Sequence, residues 1–266
     1  MNEKNFEYLK DQVKYSGFGE GLEGELKEKM KAQQPEFKLN HQIKYGDTTA
    51  NATLNFKKSD QSEMYFFNSY KMELSKENTK ESLEQTFYIN KGNNITMKEA
   101  FNLMEGRAIN KDLTNKEGQV YNAWLQMDFK EADTNGNFKL NQYHQNYGYD
   151  VENALSKHPI KELETPKYKE DLMDSIKKGN RQSVTFVKDG NEIKQYVEAN
   201  PQFKTINVYD ANMKRIDNRQ SKEEKQSEGE AKSAKQGTKK QNQNDDAESP
   251  AAPPEKKKRK KQSNSM

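Results

Sequence analysis

The aromatic residues confine the fold to the first four-fifths of the chain. All 13 tyrosines, all 12 phenylalanines and the single tryptophan lie before residue 211, and the last 56 residues hold none. Residues 1–210 are long enough to bury a core, whereas a segment without large apolar side chains cannot offset its ordering entropy. Residues 217–266 are therefore expected to form a disordered basic tail. Charge divides near the same boundary. The last 56 residues carry 15 Lys and Arg against 9 Asp and Glu, so 30 cations face 33 carboxylates in the rest, from totals of 45 and 42. A mildly acidic body excludes a broad DNA-wrapping surface, which needs clustered cations.

The chain has no cysteine, which removes disulfides, thiolate metal sites and thiol nucleophiles together. The start, Met1 to Tyr8, lacks the basic and apolar runs of a signal peptide, and no stretch approaches a membrane span. These features lead to the expectation of a soluble, cytoplasmic protein.

Periodicity then orders the body. Phe6, Leu9 and Val13 predict an amphipathic helix, and Leu22, Leu26 and Met30 a second one ending before Pro35. The glycines at 17, 19 and 21 resemble a phosphate loop, but no strand precedes them and no Lys-Ser/Thr pair follows, so a turn is expected. From Phe37 the alternation is period two: strands around 37–45, 52–56, 64–74 and 84–90. Thr96 followed by Glu99 marks a capping box for a helix that buries Met97, Phe101 and Met104 and stops at Gly106.

The stretch from Gly106 to Phe129 reads as two strands joined at Lys116-Glu117-Gly118. Asp133-Thr134-Asn135-Gly136-Asn137 has the spacing that opens a calcium loop, but no acidic residue follows at the twelfth position, and Asn-Gly favours a hairpin. Helices near 150–157 and 166–178 precede strands at 183–187, 193–197 and 203–209, with a turn at Asp189-Gly190.

Asn51-Ala52-Thr53-Leu54 matches Asn122-Ala123-Trp124-Leu125, and Asp60, Asn68 and Tyr70 match Asp133, Asn141 and Tyr143. The expected fold is α+β: repeated units of a helix followed by a three-stranded antiparallel meander. The segments are a helical 1–34, a first β-rich unit 35–94, a second unit 95–149, a third unit 150–216 and the tail 217–266.

Gly106-Arg107-Ala108-Ile109, 115–124, Asn146-Tyr147-Gly148-Tyr149-Asp150, 159–163, 178–184 and 198–204, together with Tyr8-Leu9-Lys10 and 15–20, carry a resemblance covering most of residues 5–216. The chain is similar to an uncharacterised domain family from conjugative transposons of anaerobic gut bacteria, a domain also found appended to type IA topoisomerases. Stand-alone members of that family sit beside topoisomerase-like genes in excision or mobilisation operons. No catalytic residue set attaches to the domain, and a chain of this length has no room for the topoisomerase catalytic portion. The resemblance implies a non-enzymatic accessory of mobile-element DNA processing, without a cofactor or metal, whose partners are DNA and topoisomerase or excision and mobilisation proteins. The alternative it leaves is a protein-protein interaction or regulatory module without DNA contact.

The candidate chemistry fits that expectation. His41, His144 and His158 fall on three separate elements without paired spacing, and an enzyme would need Asp128, Asp133 and His144 to converge. Lys256-Lys257-Lys258-Arg259-Lys260-Lys261 in the tail can contact phosphates without sequence preference. In the body, Arg107, Trp124, Lys139, Tyr143 and Arg181 are the candidate nucleic-acid contacts. The aromatics around them form either a base-stacking platform or a sheet core.

Overall fold

Alternating buried residues build the first sheet. In the computed structural model, which describes residues 1–77, 82–89 and 93–216, strands β1 (Glu36–Tyr45), β2 (Thr48–Lys58), β3 (Tyr65–Lys76) and β4 (Ser82–Tyr88) form an antiparallel meander in chain order. Ala50, Ala52, Leu54 and Phe56 of β2 face one side and are buried there. The helices α1 (Glu3–Val13) and α2 (Glu23–Lys31) cover that side with Phe6, Leu9, Val13, Leu26 and Met30. Between them the glycine-rich stretch is a connector, as its composition suggests. Its first part, Lys14–Phe18, is a π-helical turn that swings Phe18 edge-on against Tyr70, with Gly17 at φ +93° supplying the reversal.

Helix α3 (Met97–Met104) is buried on nearly every side, so it lies inside the protein rather than on it. Its capping box is formed as the sequence indicates: the Glu99 backbone N–H donates to Thr96, and the Thr96 N–H donates to the Glu99 carboxylate. It packs against β3 and β4 on one side and against the second sheet on the other. That sheet holds β5 (Ile109–Thr114), β6 (Val120–Ala132) and β7 (Phe138–His144), in the order 5-6-7. Three consecutive residues of β6, Ala123, Trp124 and Leu125, are buried, which requires cover on both faces. Ala123 and Leu125 belong to the core under the first sheet, and Trp124 to a second core.

The second core lies under helices α4 (Val151–Ser156) and α5 (Pro166–Lys177) and a third sheet. Its strands are β8 (Gln182–Lys188), β9 (Asn191–Asn200), β10 (Thr205–Tyr209) and β11 (Arg215–Ile216), in the order 11-10-9-8. The fold is α+β, with five α-helices and three antiparallel sheets among the described residues, all within one compact unit, Met1–Asp217. The first sheet has the four strands that its periodicity marks, one more than a three-stranded unit, and the third sheet has four where three were expected. Phe203 is not in a strand: it sits exposed in a 3-10 turn, and β10 starts only after Lys204 at φ +52°.

The strand β11, which sequence periodicity did not show, exists because of a turn used three times. At Asn115, Asp133 and Asp210 the side-chain oxygen accepts the backbone N–H two and four residues on. The fourth residue of each turn has positive φ: Gly118, Gly136 and Met213. Two of the turns end in the expected glycine, and the third hides behind a methionine.

Side-chain carboxamides stand in for missing strands. Asn5 donates to the Tyr65 carbonyl (3.0 Å) and accepts from its N–H (2.7 Å). Asn93 does the same at Thr114, and Gln85 at Phe138. Each pair fills both backbone groups of a residue beginning or ending a strand, and the Gln85 pair joins the first sheet to the second. Replacing buried Gln85 by Leu leaves the Phe138 N–H and carbonyl without these partners. The expected cost is about 1–3 kcal/mol, read as a lower urea midpoint by Trp124 fluorescence; an unchanged midpoint would show that the amide does not join the sheets.

Candidate functional site

Two helices end against one another. Helix α3 stops at Gly106 and α5 at Gly179, with φ of +81° and +82°. At each end the glycine N–H and the next N–H turn back onto helix carbonyls: Gly106 to Leu103, Arg107 to Asn102, Gly179 to Ile176 and Asn180 to Ser175. Asn102, fully buried, ties the two ends together. Its Nδ2 donates to the Lys178 carbonyl (2.6 Å) and to Asn180 Oδ1 (3.2 Å), and its Oδ1 accepts from Arg107 Nη2 (2.7 Å). The approach is so close that a Cβ on Gly179 would lie 2.7 Å from Ile109 Cγ2 and 3.0 Å from the Ala108 carbonyl oxygen.

This junction brings together Arg107 and Arg181, 74 positions apart in sequence. They line a depression of about 540 Å3 with Lys98, Phe101, Tyr45 at the end of β1 and Met213 from the β10–β11 turn. Lys98 Nζ stands 4.1 Å from the Tyr45 ring centre and 4.6 Å from that of Phe101. The Arg107 guanidinium lies 5.1 Å from the Phe101 ring centre, and that of Arg181 lies 4.0 Å from Tyr209.

The electrostatics are those of a site with surplus positive charge. Lys98 is exposed by area, yet its ammonium is held against two rings; the resulting desolvation, and then Arg107, lower its pKa. Arg107 is only 10% exposed, and burial lowers its pKa too, with Arg181 adding to the effect and Glu105 and Glu198 opposing it. Its Nε is buried and has no hydrogen-bond partner among the described residues. Glu105 sits 3.9 Å from Arg107 but is also 3.6 Å from Lys76. Glu198 is buried and accepts from Arg181 (3.0 Å), Asn207 (3.0 Å) and Tyr209 (2.6 Å). Burial, then that bond to Glu198, raises the Tyr209 hydroxyl to about 12. Lys98 has no carboxylate at ion-pair distance among the described residues.

Helix stability accounts for part of this arrangement. Cations just past the ends of α3 and α5 complement the negative C-terminal ends of the helix dipoles, worth about 0.3–1 kcal/mol each. It does not account for Lys98, which lies in the first turn of α3, where a cation opposes the dipole. A cation in that place, unpaired and aimed at the same depression, is suited to an anion.

The other candidates within the described residues do not join the pocket. Trp124 is 6% exposed and edge-on to Tyr149, so burial rather than base stacking occupies its ring. Tyr143 lies opposite it on β7, partly buried and packed on Tyr147. Lys139 pairs with Glu131 at 2.7 Å, across from Asp128. Lys256, Lys257, Lys258, Arg259, Lys260 and Lys261 lie outside the described residues.

No catalytic trio assembles around Asp128, Asp133 and His144. Asp133 accepts two N–H groups of its own turn, and Asp128 accepts from the Lys130 N–H and Asn141; these bonds hold both carboxyls below their usual pKa. His144 lies five residues along β7 from the residue opposite Asp128, about 17 Å at strand spacing. His41 and His158 pack against Phe18 and Phe186, and burial lowers the pKa of each. Among the described residues no helix is long and apolar enough to cross a membrane.

Sequence reasoning missed Lys98 and Tyr45. The signal for Lys98 was there: a lysine placed in the first turn after a capping box, against the dipole. No family model matches the chain, and no curated protein or solved structure matches it either.

The pocket depends on the close approach at Gly179. Gly179→Ala should destabilise the protein by about 1–3 kcal/mol more than Gly118→Ala, since both meet the same backbone strain but only the first meets packed atoms. Urea midpoints compare the two; equal losses would contradict the contact.

Proposed function

We propose that the chain is a non-catalytic accessory protein of mobile-element DNA processing, in excision or mobilisation. Its body docks a topoisomerase or mobilisation protein and contacts nucleic-acid phosphate at the Lys98, Arg107 and Arg181 pocket, and its basic tail tethers it to DNA in the cytoplasm. The observation that carries this reading is the convergence of three cations in a body whose overall charge is negative. A surplus concentrated in one place on an acidic surface favours a local phosphate contact over general adhesion. The sequence resemblance supplies the mobile-element context, and the pocket adds a point of contact within the body.

We also read the three helix-and-sheet segments as copies of one unit. Asn51-Ala52-Thr53-Leu54 and Asn122-Ala123-Trp124-Leu125 fall on β2 and β6, the second strands of their sheets, and Tyr70 and Tyr143 on the third strands. In this reading the copies have diverged in burial: Tyr70 is fully enclosed and Tyr143 is not.

Anisotropy titrations with labelled DNA over a salt series test the function. Comparison of the full chain with one ending at Ile216 isolates the tail. Its six consecutive cations should steepen the dependence of log affinity on log salt by up to about 5, at roughly 0.7–0.9 per phosphate. In both chains Arg107→Ala should weaken what binding the body contributes. DNA affinity absent from every chain at low salt, with protein partners retained through nuclease and high salt, would replace this reading with an interaction module.

A further inference from the structure

We infer that the pocket selects a phosphomonoester, either a free nucleotide or the phosphorylated end of a nucleic acid, over the internal phosphodiesters of a strand. This rests on the pocket being the body's phosphate contact, and it specifies which phosphate.

Shape argues first. The walls come from separate segments: the β1–β2 turn, α3, Arg107, residues 180–182 and the β10–β11 turn at Met213. The depression is open to solvent, and its volume of about 540 Å3 falls within the ~300–1,000 Å3 of small-ligand sites. A groove that tracks a single strand runs past roughly four or more nucleotides. An internal phosphate carries a sugar on each side, whereas a terminal one has a single attachment and can enter end-on.

Charge argues in the same direction. A phosphomonoester carries about −1.5 to −2 at neutral pH and presents three terminal oxygens; a diester carries a single charge. Arg181 is already paired with Glu198 and Arg107 has Glu105 at 3.9 Å, so the surplus rests on Lys98, which has no carboxylate at ion-pair distance among the described residues; a surplus held in one place matches the more highly charged group better. Arg107 is desolvated, with Nη2 already donating to Asn102 and Nε buried; its remaining Nη hydrogens can add a charge-assisted bond to a phosphate oxygen.

The carboxamides around the pocket set what is ignored. Asn180 donates to Ser175 Oγ (3.1 Å), Gln182 donates to the same oxygen, and Asn102 is held by both helix ends. With these amide donors tied to the scaffold, the lining left to a ligand is chiefly the three cations, the rings and Met213. Recognition therefore reads phosphate charge and not the identity of the base.

Calorimetric titration of the full chain tests this with inorganic phosphate, adenosine 5′-monophosphate, cytidine 5′-monophosphate and adenosine. A matched pair of oligothymidylates, with 5′-phosphate and with 5′-hydroxyl ends, separates the two sources. The two monophosphates should bind within about threefold of each other, adenosine should not bind, and the 5′-phosphate should strengthen oligonucleotide binding about tenfold or more. Lys98→Gln, at an exposed position, should reduce monophosphate affinity about tenfold without moving the urea midpoint downward; Arg107→Lys should reduce affinity too, but with a lower midpoint, because it also loses the guanidinium bond to Asn102. Equal binding of the two oligonucleotides and none of the monophosphates would overturn the inference while leaving the DNA-contact reading standing. Monophosphate binding with no affinity for either oligonucleotide would uphold the inference and remove the DNA-contact reading. Monophosphate affinity unchanged by Lys98→Gln would place the ligand elsewhere and overturn it.

Discussion

The buried carboxamide of Asn102 is the point on which the two halves of the protein depend. Helix ends leave carbonyls without intrahelical partners, and a buried one must find a donor elsewhere. Asn102 supplies that donor from the end of α3 to the end of α5, while its oxygen fixes the guanidinium of Arg107. Since α3 is packed between the first two sheets and α5 contacts β5, β8 and β9, this one side chain couples the cores on either side of β6. The cationic pocket is a consequence. The glycines that let the helices end so close together also turn the following arginines toward common ground.

The same chemistry explains how a chain with only 30% hydrophobic residues holds three sheets together. A sheet edge exposes backbone groups that must be paired or solvated. Asn5, Gln85 and Asn93 occupy such groups without adding a strand, and Glu162 accepts the Thr185 N–H on the outer strand β8. Sharing β6 between two cores adds burial on both faces of one strand. Trp124 on one side and Leu125 on the other let modest apolar content enclose two interiors.

What was legible in the sequence followed from local rules. The spacing of Phe6, Leu9 and Val13, the Thr96 and Glu99 box, and the Asn135-Gly136 and Asp189-Gly190 turns each express a preference satisfied within a few residues, and the structure keeps them. The strand β11 was hidden because Met213 takes a φ that usually marks glycine, held there by Asp210. Trp124 could be read as platform or core, since burial on both faces of β6 depends on elements distant in sequence. The pocket was half legible. Arg107 and Arg181 stood out after their helix-ending glycines, but Lys98 acquires its role from Tyr45, 53 positions earlier.

The central claim is that Arg107 and Arg181 share one site and so press their charges on each other. A double-mutant cycle on unfolding free energy, built from Arg107→Ala, Arg181→Ala and the pair at low salt, measures that directly without any ligand. Each single substitution already relieves the whole of the repulsion, which the double variant can relieve only once, so the account predicts a double variant less stable than the sum of the single losses, by more than the ~0.3–0.5 kcal/mol within which distant sites add. Additive losses would contradict it.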